Sequence, residues 1–238
     1  MTNRSLVLSL VLPMLLLCAS SLRAEDRALD DSYVALKLTL GLGGTGTVKS
    51  DSFSFAGVTA SSSQARKSSD DLELSYGLAA QYMVPVHRYF VIGGLLGITS
   101  WQSESGSDND ASRNLALDLA VVPQGRIALL QNLELYISVP IGLTFDWLNE
   151  VSSSTSVAGI ATGKIEANTA VGFMVSILLG ARLALFDNFG LFTEVGWIHR
   201  SFSHDITGSG SIFGAGASAK VNADISLSEF AWNLGAYF

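Results

Sequence analysis

Stretch after stretch of two-residue alternation, a single apolar run compatible with a helix, and connections that alternate between short and long predict an all-β fold. The specific expectation is an eight-stranded antiparallel up-and-down transmembrane β-barrel. Composition points the same way. The chain has 238 residues, of which 48% are hydrophobic and 15% charged, with 23 glycines and a net charge of −7. Charged residues in soluble domains run at about 25%, so this chain carries too little charge for an ordinary soluble domain. With 14 basic against 21 acidic side chains it cannot neutralise a row of phosphates, which excludes a nucleic-acid partner. One cysteine excludes an internal disulfide framework.

Residues 1–24 read as a signal peptide. Arg4 supplies a positive start, 6–18 is almost continuously apolar, and Leu22-Arg23-Ala24 before Glu25 forms a cleavage site. The barrel is then expected over 25–238. A membrane helix needs about 20 consecutive apolar residues, and the best later candidate, 171–181, is cut by Arg182.

The first strand is expected over 33–43, where Val34, Leu36, Leu38, Leu40 and Leu42 share one face and Lys37, Thr39 and Gly41 lie on the other. The second, 72–82, sets leucines and tyrosines against Glu73, Ser75 and Gln81. The third, 90–99, is glycine-rich on its polar face. The fourth, 114–121, opposes four large aliphatics to Asn114, Asp118 and alanines. The fifth, 133–147, alternates throughout and carries Glu134 and Asp146 on its polar side. The sixth, 171–182, and the seventh, 190–197, place Arg182 and Glu194 there. In the eighth, Phe230, Trp232, Leu234 and Phe238 alternate with Glu229 and Asn233, whereas Val221, Ile225 and Leu227 have the opposite parity, so a bulge is expected near Ser228. Pro123 and Pro140 fall inside strands, where they cost ladder bonds and are expected to mark further bulges.

Short links are expected at 85–88, 131–132 and 187–188. Long polar links, read as four extracellular loops, are expected at about 47–70, 102–112, 149–168 and 200–219. Short turns on one side and long loops on the other are the habit of bacterial barrels. Closure pairs every backbone group without an edge, so such a sheet can sit in hydrocarbon with its apolar face outward. Tyr82, Trp101, Trp147, Trp197 and Trp232 near strand ends fit interfacial girdles. The alternative reading is a soluble β-sandwich or lipocalin-like barrel, which buries the apolar face instead.

The closing run Phe230-Ala-Trp-Asn-Leu-Gly-Ala-Tyr-Phe238, an alternating strand ending on phenylalanine, gives the chain a resemblance to the small outer-membrane β-barrels of Gram-negative bacteria, in the OmpA/OmpX-like eight-stranded class. The resemblance spans the chain from Tyr33 to Phe238; Ala236 stands where an aromatic is common. It implies a cell outer-membrane location among lipid and lipopolysaccharide, and a monomeric barrel. It also implies a signal for the barrel-assembly machinery in Phe230, Trp232, Leu234 and Phe238. No peptidoglycan-binding domain is expected to follow, so no cell-wall tether is implied.

Chemistry-bearing residues are few. The inward parity collects an expected interior charge network of Lys37, Glu73, Asp118, Arg126, Glu134, Asp146, Arg182, Glu194, Asp224 and Glu229. With both termini periplasmic, Lys37, Arg126, Glu134, Arg182, Glu194 and Glu229 fall in the periplasmic half as an ion-paired plug. The acids Glu73, Asp118, Asp146 and Asp224 fall nearer the loops. Eight strands enclose barely enough space for their own side chains, and buried charges must pair or face water. His87 in a short turn and His204 in a long loop are expected to be solvated. His199 and Ser201 form an H-x-S pair facing lipid, a spacing shared with lipid A deacylases, but Asp224 is expected to point inward and Phe202 replaces the usual asparagine. No catalytic set, cofactor site, phosphate loop or metal spacing is predicted. The expected function is a structural or interaction barrel presenting surface loops to an extracellular ligand. The alternatives are a narrow cation-preferring channel and, more remotely, a lipid A-modifying enzyme.

Overall fold

The computed structural model describes residues 32–55, 58–72, 74–101, 114–147, 161–167, 169–212 and 215–238. The strands among them are β1 (Tyr33–Phe55), β2 (Val58–Leu72), β3 (Ser75–His87), β4 (Phe90–Trp101), β5 (Asn114–Ala128), β6 (Leu133–Ser138), β7 (Ile141–Trp147), β8 (Ala161–Ala167), β9 (Ala170–Phe186), β10 (Phe189–Ile212) and β11 (Ala215–Tyr237). All are antiparallel to their neighbours. Three breaks are local. β2 and β3 hold one register against β1, β6 and β7 hold one register against both β5 and β9, and β8 and β9 both pair with β10. The wall is therefore a ring of eight strands, closed where β1 pairs with β11.

The register sets the shape. Starting at Tyr237 and stepping from partner to partner through Ala35, Gln81, Leu95, Ala120, Gly142, Met174 and Arg200 leads to Leu227, ten residues along the starting strand. With strands about 4.8 Å apart and a rise of about 3.3 Å per residue, that stagger tilts the strands by about 40° and gives a backbone radius of about 8 Å. Such a lumen is filled by its own side chains.

Parity then divides the wall. Leu36, Leu78, Ile177 and Leu179 face outward with 53%, 68%, 58% and 60% of their surface exposed. Lys37, Glu194, Arg182 and Asn233 face inward and are buried. Ten residues of tilted strand between Phe238 and Ser228 rise by about 25 Å, the height expected of an apolar transmembrane band. The outward leucines would leave a soluble protein with an uncovered greasy girdle, so the alternation is that of a membrane barrel.

Three sequence expectations change in detail. The bulge lies on β1, not near Ser228: Gly41 pairs Ala231 and Gly44 pairs Glu229, so Leu42 and Gly43 together oppose Phe230, and Gly43 takes φ +116°. β11 itself stays regular against β10, and Ile225 and Leu227 point inward because they cap the lumen with an apolar cluster. Pro123 and Pro140 produce no bulge. They interrupt pairing at Val139-Pro140 while register is kept, with the Val139 amide donating to the Pro123 carbonyl at 3.0 Å and the Ser176 amide to the Pro140 carbonyl at 2.9 Å. Finally, β1, β2, β8, β10 and β11 run as strand through much of the polar sequence read as links at 47–70, 149–168 and 200–219. Polar alternation has no apolar face to reveal it, yet ladder bonding to a neighbour extends it. The link at 102–112 and the signal segment 1–24 lie outside the described residues.

Aromatic rings near the short-turn end lie over cross-strand glycines. A Cβ on Gly180 would meet the ring and hydroxyl of Tyr136, its register partner, and a Cβ on Gly235 would meet Phe192. Gly180→Val is therefore expected to lower stability by about 1–3 kcal/mol through overpacking, read as an earlier urea unfolding midpoint in lipid vesicles. An unchanged midpoint would mean that the ring simply swings aside.

Candidate functional site: the charged barrel interior

The interior charges stand in two storeys. In the lower one, nearer the short turns, Arg182 Nη2 meets Glu134 Oε1 at 2.7 Å, and Arg126 Nη1 approaches Glu134 Oε2 at 3.5 Å. The Arg182 guanidinium lies 4.3 Å from the ring centre of Tyr33 and 5.1 Å from that of Tyr237, so the aromatic faces share its charge. One layer up, Glu194 is held by Lys37 Nζ at 3.2 Å, by the Tyr136 hydroxyl at 3.1 Å and by Asn233 Nδ2 at 2.9 Å.

The upper storey centres on Arg200. Its Nη2 donates to Asp118 Oδ2 at 2.7 Å and to Thr99 Oγ1 at 3.1 Å, its Nε reaches both Asp118 oxygens at 3.2 Å, and its Nη1 meets Glu229 Oε1 at 2.6 Å. The Ser75 hydroxyl donates to the second Glu229 oxygen. The fork geometry of a guanidinium satisfies two carboxylates at once, which an ammonium cannot do. Above it, Asp146 accepts from Trp101 Nε1 at 2.9 Å and meets His204 Nε2 at 3.0 Å, within the apolar lid formed by Phe202, Ile225, Leu227 and Leu72.

Between the storeys the small residues Thr39, Ala79, Gly97 and Ser176 stand among the buried apolar side chains Leu95, Met174, Leu178 and Ile198. The void they border, together with Lys37, Asp118 and Arg200, is about 30 Å³, room for one or two waters. Asn233 Oδ1, buried and without a protein partner, borders the same void and supplies an acceptor for such a water.

The structure brings Lys37, Asp118, Arg126, Glu134, Asp146, Arg182, Glu194 and Glu229 inward, all buried. Two members of the expected network differ. Glu73 lies outside the described residues. Asp224 points outward, where its carboxylate accepts from Ser203, because β11 keeps its parity instead of bulging. Glu229 belongs to the upper storey, not to the periplasmic half. His204 is fully buried against Asp146, not solvated, because β10 continues as strand past its last outward tryptophan. His87 is exposed. His199 faces outward as expected, but its Nδ1 pairs with Ser228 Oγ at 2.7 Å across the β10–β11 ladder, while Ser201 Oγ accepts from Ser226 Oγ at 3.4 Å. Phe230, Trp232, Leu234 and Phe238 all face outward.

Arg200, the hub of the upper storey, escaped the sequence reading, as did Ser75, Thr99, Trp101, Tyr136 and Asn233 as partners. A signal existed for Arg200. Extending the inward parity of Glu194 along the same strand reaches Ile198, Arg200, Phe202 and His204. The hydrophobic switch at Ile198 and Phe202 hid it.

No family model matches the chain, and no curated protein matches it at the level of sequence. Among solved structures, it is similar to the outer membrane protein OprG from Pseudomonas aeruginosa, at 12% identity over 87% of this chain and 94% of that one, with a TM-score of 0.53. Outer membrane protease OmpT from Escherichia coli matches at 10% identity over 92% and 99% of the two chains, with a TM-score of 0.45. Ail of Yersinia pestis matches at 11% identity over 84% and 99%, with a TM-score of 0.32. At these identities the likeness is one of fold, and the protein has the fold of a small outer-membrane β-barrel.

Proposed function

We propose that this protein is a structural or interaction barrel of the outer membrane, a rigid plugged scaffold that presents its extracellular segments to an outside ligand, and that it neither conducts ions freely nor acts as an enzyme. The observation that carries this reading is the filled lumen. Four buried bases are bonded to four buried carboxylates across an interior of about 8 Å backbone radius, and an apolar lid closes one end. The strands that run beyond the apolar band on one side, β1, β2, β8, β10 and β11, suit a rigid display platform for the segments above them. Lipid and lipopolysaccharide surround it, and the outward row Phe230, Trp232, Leu234 and Phe238 serves the assembly machinery.

The test is conductance across planar lipid bilayers. The expected result is a baseline without discrete steps. Stepwise, cation-preferring currents would replace this reading with that of a narrow channel. The acids nearest the upper end give the channel reading no open mouth among the described residues: Asp118 is bonded to Arg200 and Asp146 to His204, both buried. The lipid A-modifying reading loses its geometric support, since His199 pairs with Ser228 and Asp224 is engaged by Ser203.

A further inference from the structure

Among the described residues the outward wall holds a concavity whose floor is a glycine that packing does not require. Gly93 and Gly94 are adjacent in β4 and face opposite ways. A Cβ on Gly93 would collide with the Tyr82 carbonyl and the Met83 side chain, so the closeness of β3 demands a glycine there. A Cβ on Gly94 would meet nothing within 4 Å. Leu96, Leu119, Val121, Ile141 and Leu143 rise beside it on the membrane face, and Ala80 continues the low floor. The result is a shallow, open groove of about 620 Å³ in the apolar wall.

Depth in the membrane identifies the occupant. Gly94 lies three register steps from Phe238, through Val34 and Tyr82. In strands tilted by about 40°, three steps amount to about 9 Å above the lower edge of an apolar band about 25 Å tall. The groove thus lies in hydrocarbon and reaches up from the half of the band nearest the short turns, which bacterial barrels place on the periplasmic side. Tyr82, exposed at its lower rim, has a hydroxyl that can reach the headgroup level while its ring lines the apolar path. We propose that this groove seats an acyl chain of a phospholipid from the periplasmic leaflet, held by dispersion against the aliphatic walls, with Gly94 providing the depth. A flat wall would leave that chain as mobile as any other in the bilayer; a depression gives it additional contacts with the side chains that rise around Gly94.

Photocrosslinking tests this. The barrel is reconstituted in vesicles containing a phospholipid with a diazirine near the middle of one acyl chain, irradiated, and mapped by peptide mass spectrometry. Labelling is expected to concentrate several-fold at Leu96, Leu119 and Val121 over outward residues of the opposite wall, such as Leu191 and Leu234. Gly94→Leu, which fills open space without a clash, is expected to bring the groove down to the level of that wall while the compact band on unboiled electrophoresis is unchanged. Even labelling around the belt, or a groove signal indifferent to Gly94→Leu, would overturn the proposal. So would a groove labelled less than that wall, as a second copy of the chain seated on it would leave it.

Discussion

Arg200→Met is expected to destabilise the barrel by about 3–5 kcal/mol, the usual cost of stripping one partner from a buried ion pair. The variant leaves Asp118 and Glu229 facing each other with no cation between them; Ser75 and the remaining neutral donors cannot neutralise two carboxylates. The measurement is the urea midpoint for unfolding from lipid vesicles, or the temperature at which the compact electrophoretic band converts to the extended one. The triple variant Arg200→Met, Asp118→Asn, Glu229→Gln is expected to recover most of the loss, because the penalty lies in uncompensated charge and not in the removed bonds. Arg200→Lys is expected to fall between the two, since an ammonium cannot span both acids in a planar fork. A midpoint unchanged in Arg200→Met would show that the upper storey is hydrated and contributes no stability.

Lys37→Met comes next in size, at about 2–4 kcal/mol, smaller than the first because Glu194 keeps donors from Tyr136 and Asn233. Here a second readout separates packing from plugging. Lys37 borders the void between the storeys, so its loss leaves a net acid facing that space. Lys37→Met is expected to raise cation leak from vesicles above the wild-type level, whereas Lys37→Met with Glu194→Gln is expected to restore both stability and tightness. If Lys37→Met changed neither stability nor leak, the ion-paired plug and the narrow channel would fall together.

Much of this molecule was legible in its alternation. Val34 to Leu42 and Phe230 to Phe238 show which face meets hydrocarbon, because every second position must be apolar in lipid and a period of two leaves no freedom in the choice. The same parity placed Lys37, Asp118, Arg126, Glu134, Asp146, Arg182, Glu194 and Glu229 inside, since no lipid-facing position tolerates a charge cheaply. Above the apolar band that rule lapses. Strand β10 past Trp197 meets water outside and an apolar lid inside, so its hydrophobic parity reverses without any bulge, and Arg200 and His204 vanish into what looks like a polar link. Asp224 was misplaced for the matching reason on β11.

Alternation, then, determined from sequence alone the strand count, the outward face and the membership of most of the buried charge set. Only the closed structure decided who pairs with whom. Lys37 on β1 meets Glu194 on β10 over the intervening β11, and Arg200 reaches Glu229 on the neighbouring β11 and Asp118 three strands away on β5, because the stagger of the ring brings residues far apart in sequence to one height. Parity is a property of each strand by itself; height within the barrel belongs to the ring as a whole, and it appears only when the last strand pairs with the first.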